Sequence, residues 1–353
     1  MDWKNILSYA IKKVDRSIKL TDFPHITKNG KWVTTKDGYW TGGFWIGLLW
    51  LAYKITNNQK YKKMAYSWVK RLEGRRFDKT FDLGFLFYPS FVLGYKLTGD
   101  EYLGQVSLDA AKTLSTLFHK KSKFIYCVIN VDGRRIGRTI IDVMMNLPLL
   151  WWAFEETDNS VYYDVAYEHS IQTIKEFIRK DYSTIHVIDF DLDTGNIIRK
   201  ITVQGYSNES CWSRGQAWAI YGFALAYKTA KDSIFLETAE KLADYFIKYL
   251  PEDYVPYWDF NDPKKSVKDS SAAAIASSGL LTLSNLSQQE KFKEIAVRIL
   301  NSLSKNYLAN ENEDGILKHG CFHKPAGIGV DECLIWGDYY FMEALMKIRG
   351  ELE

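Results

Sequence analysis

Asp82, in Phe81-Asp82-Leu83-Gly84-Phe85-Leu86-Phe87, and Asp142, in Arg138-Thr139-Ile140-Ile141-Asp142-Val143-Met144-Met145-Asn146, are carboxylates set at the start of strongly apolar runs. Two readings of them stand open. As helix caps, Asp82 is an ordinary N-cap and Asp142, three residues after Thr139, completes a capping box. Capping holds a carboxylate in its ionised form. As a facing pair among aromatic rings, each carboxyl is pushed the other way by desolvation and by its neighbour's charge. One then stays protonated near neutral pH while the other is ionised, which is the condition for acid–base chemistry.

A cation and several rings accompany them. Arg214 and Trp218, four apart, fall on one face of the apolar stretch that begins near Ser210. An arginine in such a stretch needs a partner. A ligand carboxylate matches its planar fork, and an internal ion pair, with Glu209 as the nearby candidate, serves equally well. In Asp37-Gly38-Tyr39-Trp40-Thr41-Gly42-Gly43-Phe44-Trp45, paired glycines permit close approach of backbone or ligand, and Trp40 and Phe44 are spaced to share a helix face. His319, Cys321 and His323 alternate on a loop, a weak metal signal without further ligands nearby. His169 falls on a charged helix and is expected at the surface. No P-loop, dinucleotide fingerprint or nucleophile elbow occurs.

The elements that must position these residues show a repeat. Charge-rich amphipathic segments lie near 3–19, 59–72, 100–118, 160–180, 232–249 and 288–306, and read as helices with one wet face. Between them, near 38–56, 83–98, 140–157, 211–230, 270–285 and 332–348, run charge-poor segments crowded with aromatic and small residues, which read as helices buried on both sides. Each dry segment leads almost at once into the next wet one, whereas each wet segment reaches the next dry one through a long loop. The dry helices are expected to start at Asp37, Asp82, Thr139, Ser210, Asp269 and Asp331, all good N-cap residue types. A repeat of helical hairpins with variable insertions on one side predicts an all-α (α/α)6 barrel forming one domain over 1–353, with the dry helices inside and the long loops at the active end. Hairpins are expected over His186–Gln204, turned at Asp193-Thr194-Gly195, and over Tyr126–Arg134, turned at Asp132-Gly133. Six helix N-termini converging on one mouth suit a small anionic ligand.

Composition narrows the function. The formal charge is only +3, so an electrostatic nucleic-acid binder is not expected. No stretch approaches the roughly 18 apolar residues of a membrane span. The start of the sequence lacks the pattern of a secretory signal, and four cysteines without framework spacing point to free thiols and a cytoplasmic setting. Of twelve Trp, 23 Tyr and 19 Phe most are expected in the core, and an excess of Trp and Tyr can also line a groove that stacks on sugar rings.

Taken together, DGYWTGGFW, DLGFLFYPS, RTIIDVMMNLPLLWWA, GYSNESCWSRGQAWAIYG and IWGDYYFMEAL resemble the unsaturated glucuronyl hydrolases of glycoside hydrolase family 88, in order and over almost the whole chain. The resemblance implies an (α/α)6 barrel acting on the unsaturated disaccharides and short oligosaccharides that lyases release from glycosaminoglycans, with no metal or organic cofactor. It implies Asp142 as general acid/base and Asp82 as its partner, with Trp40, Phe44, His186, Gln204, Arg214, Trp218 and Tyr339 shaping the uronate subsite. The family commonly has His before the first of these aspartates, and here that residue is Phe81, which bears on substrate preference. Two other functions stay open at this stage: a related family 105 barrel acting on unsaturated pectin fragments, and a non-catalytic helical scaffold.

Overall fold

The computed structural model describes residues 2–352. Along the chain run α1 (Trp3–Ser17), β1 (Phe23–Lys28), β2 (Lys31–Thr35), α2 (Gly42–Thr56), α3 (Gln59–Leu72), α4 (Leu83–Phe87), α5 (Leu93–Thr98), α6 (Glu101–Thr116), β3 (Phe118–His119), β4 (Phe124–Ile125), β5 (Cys127–Val131) and β6 (Arg134–Ile140). There follow α7 (Pro148–Thr157), α8 (Ser160–Phe177), β7 (Val187–Phe190), β8 (Ile197–Ile201), α9 (Ser213–Ala230), α10 (Ser233–Lys248), α11 (Ser270–Ser287), α12 (Glu290–Asn306), β9 (Gly320–His323), β10 (Ile328–Glu332) and α13 (Ile335–Ile348). The charge-rich segments form the outer ring, α1, α3, α6, α8, α10 and α12, and the dry segments form the inner ring. α13 packs against α2, closing the inner ring. This is an (α/α)6 barrel, as expected.

Each inner helix hands over to the next outer one through a two-residue link built in one way. The first residue is left-handed: Asn57, Gly99, Asp158, Lys231 and Gln288 all have φ between 53° and 67°. The second is extended, and at Asn58, Asp100, Asn159 and Asp232 its side chain caps the outer helix. A left-handed C-terminus followed by a side-chain N-cap reverses the chain without any loop, so the long connections fall at the other end of the barrel.

The inner helices depart from expectation in how they start. Of the six expected caps, only Asp269 accepts bonds from the helix it precedes, from the amides of Ser271 and Ala272. α2 starts after Thr41, α9 after Trp212 and α13 after Leu334. Thr139 lies within β6, and Asp331 within β10. At α9 the first amide, that of Ser213, donates to the Trp258 carbonyl of a neighbouring loop, and at α2 the Gly42 amide closes a turn onto the Gly38 carbonyl. Two inner helices are also broken. A π-helical turn over Tyr88–Val92 separates α4 from α5, and a 3₁₀ turn over Ile141–Met145 precedes α7, whose first residue is Pro148. His169 corrects a second expectation. It lies on α8 but is buried, and its Nδ1 accepts the amide of Ile125, so it ties the outer helix to β4.

At the loop end, the two expected hairpins form and join into one antiparallel sheet in the order β5-β6-β7-β8. β1–β2 and β9–β10 are separate hairpins, linked where the Thr27 amide donates to the Cys333 carbonyl.

Candidate active site

The residues singled out from sequence gather at the N-terminal ends of the inner helices. Trp40 precedes α2, Asp82 precedes α4, Asp142 lies in the turn before α7, Gln204 precedes α9, and Arg214 is in the first turn of α9. Neither aspartate is a cap. Asp82 occupies the N-cap position without bonding the helix; its carboxylate takes only the hydroxyl of Thr80, at 3.2 Å. Thr139 and Asp142 form no capping box: Thr139 Oγ1 and Asp142 Oδ1 are both buried without a partner.

What brings the two carboxylates together is a contact that the sequence conceals. Gly84 lies against the backbone of Asn146 so closely that a Cβ on Gly84 would sit 2.2 Å from Asn146 Cα. Asn146 Oδ1 accepts the Phe85 amide at 2.8 Å, and its Nδ2 donates to the Asp142 carbonyl at 3.3 Å. One fully buried asparagine thereby ties the turn that carries Asp82 to the turn that carries Asp142. Gly43 belongs to the same construction, because a Cβ there would meet the carbonyl oxygens of Phe85 and Leu86 at 2.2 and 2.4 Å. Of the paired glycines, Gly43 thus serves close approach of backbone to backbone, whereas Gly42 faces the side chains of Phe23 and Leu72.

Burial pushes both carboxyls up. Asp82 is raised to about 7, first by desolvation and then by the charge of Asp142. Asp142 is raised to about 6 by desolvation, opposed by the Arg214 charge and the Trp218 indole. Both carboxyls therefore hold a proton to higher pH than an exposed carboxylate does, and they titrate as a pair. An anion arriving beside Asp142 adds a like charge and raises its hold on a proton. The Trp218 Nε1 and Arg214 Nε are, like Asp142 Oδ1, buried without partners.

Arg214 makes an internal ion pair. Its Nη1 donates to Asp269 at 2.9 Å and to the Cys321 carbonyl, and its Nη2 to Gln204 Oε1 at 2.5 Å and the Phe322 carbonyl at 2.8 Å. The guanidinium carbon lies 4.4 Å from the Trp212 ring centre and 5.4 Å from that of Trp336. The ion-pair partner is Asp269 and not Glu209, which is exposed. Four of its N–H directions are spent on the protein, so Arg214 acts mainly by fixing Gln204 and the loop at Cys321.

His186 packs on Trp212, ring centres 4.4 Å apart. Its Nδ1 faces the amides of Val203 and Gln204, both at 3.2 Å, and therefore accepts. Burial pushes the imidazole down to about 3, so it is neutral and carries its proton on Nε2, a donor for a sugar oxygen. Trp40 is half-buried and lies 4.8 Å from Trp336 between ring centres. Beneath it Phe44, Phe85, Trp218 and Tyr340 form a continuous aromatic layer across the barrel, with centre distances of 5.0–5.6 Å.

Two expectations change here. Trp40 stands outside α2, so it does not share a helix face with Phe44, which is wholly covered and supports Trp40 from below. Tyr339 points away from the mouth: its hydroxyl donates to Glu343 one turn further along α13, at 3.1 Å. It lines a cavity of about 480 Å³ at the opposite end of the barrel, among Lys54, Trp152, Lys228 and Lys347. Among the described residues no His, Cys, Asp or Glu group could hold a metal ion.

A ring of helical hairpins whose mouth holds two buried carboxyls above a layer of aromatic rings is the construction of a glycosidase. Residues 9–350 match the model of Glycosyl Hydrolase Family 88, and the chain belongs to that family. It is 36% identical to the unsaturated chondroitin disaccharide hydrolase of Streptococcus pneumoniae, over 98% of this chain and 92% of that protein. The crystal structure of the unsaturated glucuronyl hydrolase from Bacillus sp. GL1, described as responsible for degradation of glycosaminoglycan, superposes with a TM-score of 0.93 at 36% identity, covering 99% of this chain and 97% of that one. A mutant of the Streptococcus agalactiae unsaturated glucuronyl hydrolase, complexed with dGlcA-GalNAc6S, gives 0.87 at 32% identity, covering 100% and 92%.

Proposed function

We propose that the chain removes the 4,5-unsaturated uronic acid from the non-reducing end of lyase-generated glycosaminoglycan disaccharides and oligosaccharides. The observation that carries this reading is the pair of buried carboxyls Asp82 and Asp142, both pushed up by burial, with Asp142 Oδ1 unpartnered. The similarity to relatives with this activity supports the substrate class.

The unsaturated uronide is an enol ether, so its C4 accepts a proton. Asp142 supplies that proton, with Asp82 as its electrostatic partner, and positive charge develops at C5 and the ring oxygen. Water adds to C5 and gives its proton back to Asp142. The resulting hemiketal opens and releases the remaining sugar. One carboxyl thus acts first as acid and then as base, and the carboxylate separation that sorts retaining from inverting glycosidases does not govern the outcome. Trp40 stacks on the flattened ring, and Gln204, His186 Nε2 and Trp218 Nε1 supply hydrogen bonds. Residues 1–353 act as one catalytic domain. Four unpaired thiols support a cytoplasmic setting, and no helix among the described residues is long and apolar enough to cross a membrane.

The test is a panel of unsaturated disaccharides prepared by lyases from chondroitin, hyaluronan, heparin and pectin, followed by loss of the ultraviolet absorbance of the conjugated bond. Turnover of the glycosaminoglycan products is expected. Turnover of the pectin product alone, or of none, overturns the reading.

A further inference from the structure

Gln204 is held at two levels. Arg214 fixes its side chain, and its own amide donates to His186 Nδ1 at 3.2 Å. The backbone that carries it is the irregular segment 202–210 between β8 and α9, and most of that segment faces water. Val203 and the run Tyr206-Ser207-Asn208-Glu209 are exposed, and only Gly205 and Ser210 are buried. A segment with few apolar contacts opens at low cost, so something other than its own packing must keep Gln204 at the mouth.

Both buried residues meet one side chain. Asp259, itself buried, belongs to the loop between α10 and α11. Its Oδ2 accepts the Tyr206 amide at 2.9 Å and the Ser210 hydroxyl at 2.7 Å, and its Oδ1 accepts the Asn261 amide at 2.9 Å. A Cβ on Gly205 would sit 3.0 Å from the same Oδ2 and 2.5 Å from Thr202 Oγ1, so a glycine lets the chain pass over the carboxylate. Among the described residues no cation forms an ion pair with Asp259. Burial pushes its carboxyl up, and the Tyr206 amide and Ser210 hydroxyl pull it back. A buried carboxylate without a counter-cation is tolerated only while such donors stay in place, so the segment and Asp259 hold each other.

The neighbours of Asp259 extend the grip to the start of α9. The Cys211 amide donates to Asn261 Oδ1 at 2.9 Å, the Phe260 amide to the Cys211 carbonyl at 3.0 Å, and the Ser213 amide to the Trp258 carbonyl at 3.1 Å. Arg214 is the next residue. One short run, Trp258 to Asn261, therefore sets both the backbone of Gln204 and the helix end that carries its side-chain partner.

We propose that Asp259 is a positioning residue for Gln204: it touches no substrate, but fixes the segment 202–210 and through it the affinity for the uronate. A binding group is effective only when the groups around it hold it in place. This inference rests on the reading of the chain as an unsaturated uronide hydrolase in which Gln204 binds the sugar.

The experiment measures kcat and KM for an unsaturated chondroitin disaccharide, together with amide hydrogen exchange along the segment. In Asp259→Ala the amides of 204–206 should exchange roughly tenfold faster or more. KM should rise roughly tenfold, as when a charge-assisted hydrogen bond is lost, with kcat within about twofold. In a Gln204→Ala background the same change should raise KM by about twofold at most, because no side chain is left to place. An equal rise of KM in both backgrounds overturns the proposal, as does unaltered exchange over 204–206. A lower melting temperature with KM unmoved marks Asp259 as structural only and overturns it too. Should Asp259→Ala fail to fold, Ser210→Ala removes one of the two bonds to Oδ2 and leaves the carboxylate; KM should then rise several-fold, and an unmoved KM overturns the proposal. A natural chain that turns over no unsaturated disaccharide overturns the functional reading instead, and the exchange measurement still decides whether Asp259 holds the segment.

Discussion

Asp82 and Asp142 come from different inner helices and yet titrate against each other: the charge of Asp142 is, after burial, the main influence that lifts Asp82 to about 7. Both groups are raised, so protonation favours the folded state. The stability they contribute is present below the unfolded carboxylate range and is lost as pH rises through about 6 to 7. Activity should follow a bell with limbs in the same region, falling below it as both groups become neutral and above it as the last proton leaves. In Asp82→Asn the residual activity should show one limb in place of two, and the melting temperature relative to the natural chain should be higher at pH 8 than at pH 4.5. A profile with both limbs retained would show that Asp82 is not part of the titrating pair.

Asp142→Asn keeps the size of the side chain and cannot give a proton. Turnover should drop by roughly a hundredfold or more, while calorimetry still detects binding of the disaccharide. Consumption of the double bond at the ordinary rate would remove Asp142 from the reaction.

Arg214 and Gln204 should separate in their effects. Arg214→Leu leaves Asp269 buried without its cation, a change that costs about 3–5 kcal/mol, so the melting temperature should fall together with activity. Gln204→Ala removes a group that Arg214 holds in place, and should raise KM with little change in melting. Equal stability in both variants would count against Arg214 as a structural anchor.

Much of this arrangement was legible in the sequence. The alternation of wet and dry segments located both rings to within a few residues, because amphipathic period and full burial are written directly in residue type. The two hairpins were equally plain from Asp132-Gly133 and Asp193-Thr194-Gly195. The starts of the inner helices were not, since Thr139 and Asp331 are cap-like residues that the fold uses in strands. Asn146 shows in the sequence only as an amide within the apolar run Val143-Met144-Met145-Asn146-Leu147. A long-range contact such as that with Gly84 leaves no periodic trace. Tyr339 lies away from the expected subsite because a motif carries residue types and not the way a long side chain turns.

Gly84→Ala should test that contact. The added methyl group meets Asn146 backbone, which cannot give way as a flexible side chain would. Overpacking of this kind costs about 1–3 kcal/mol. The variant should also lose kcat at temperatures where it remains folded, because the two carboxylates no longer keep their spacing. Asn146→Ala should show the same loss of kcat with less loss of stability. Unaltered kcat in a folded Asn146→Ala protein would mean that the pair is held by other contacts.

The aromatic layer of Phe44, Phe85, Trp218 and Tyr340 closes the barrel beneath the carboxylates. The mouth is therefore a blind pit and not a tunnel. A polysaccharide cannot be threaded through it and cut repeatedly while held; a strand can only present its end, surrender one unit and withdraw by the way it came. Processive advance along a polymer is closed to such a site, and short fragments with many ends are its natural diet.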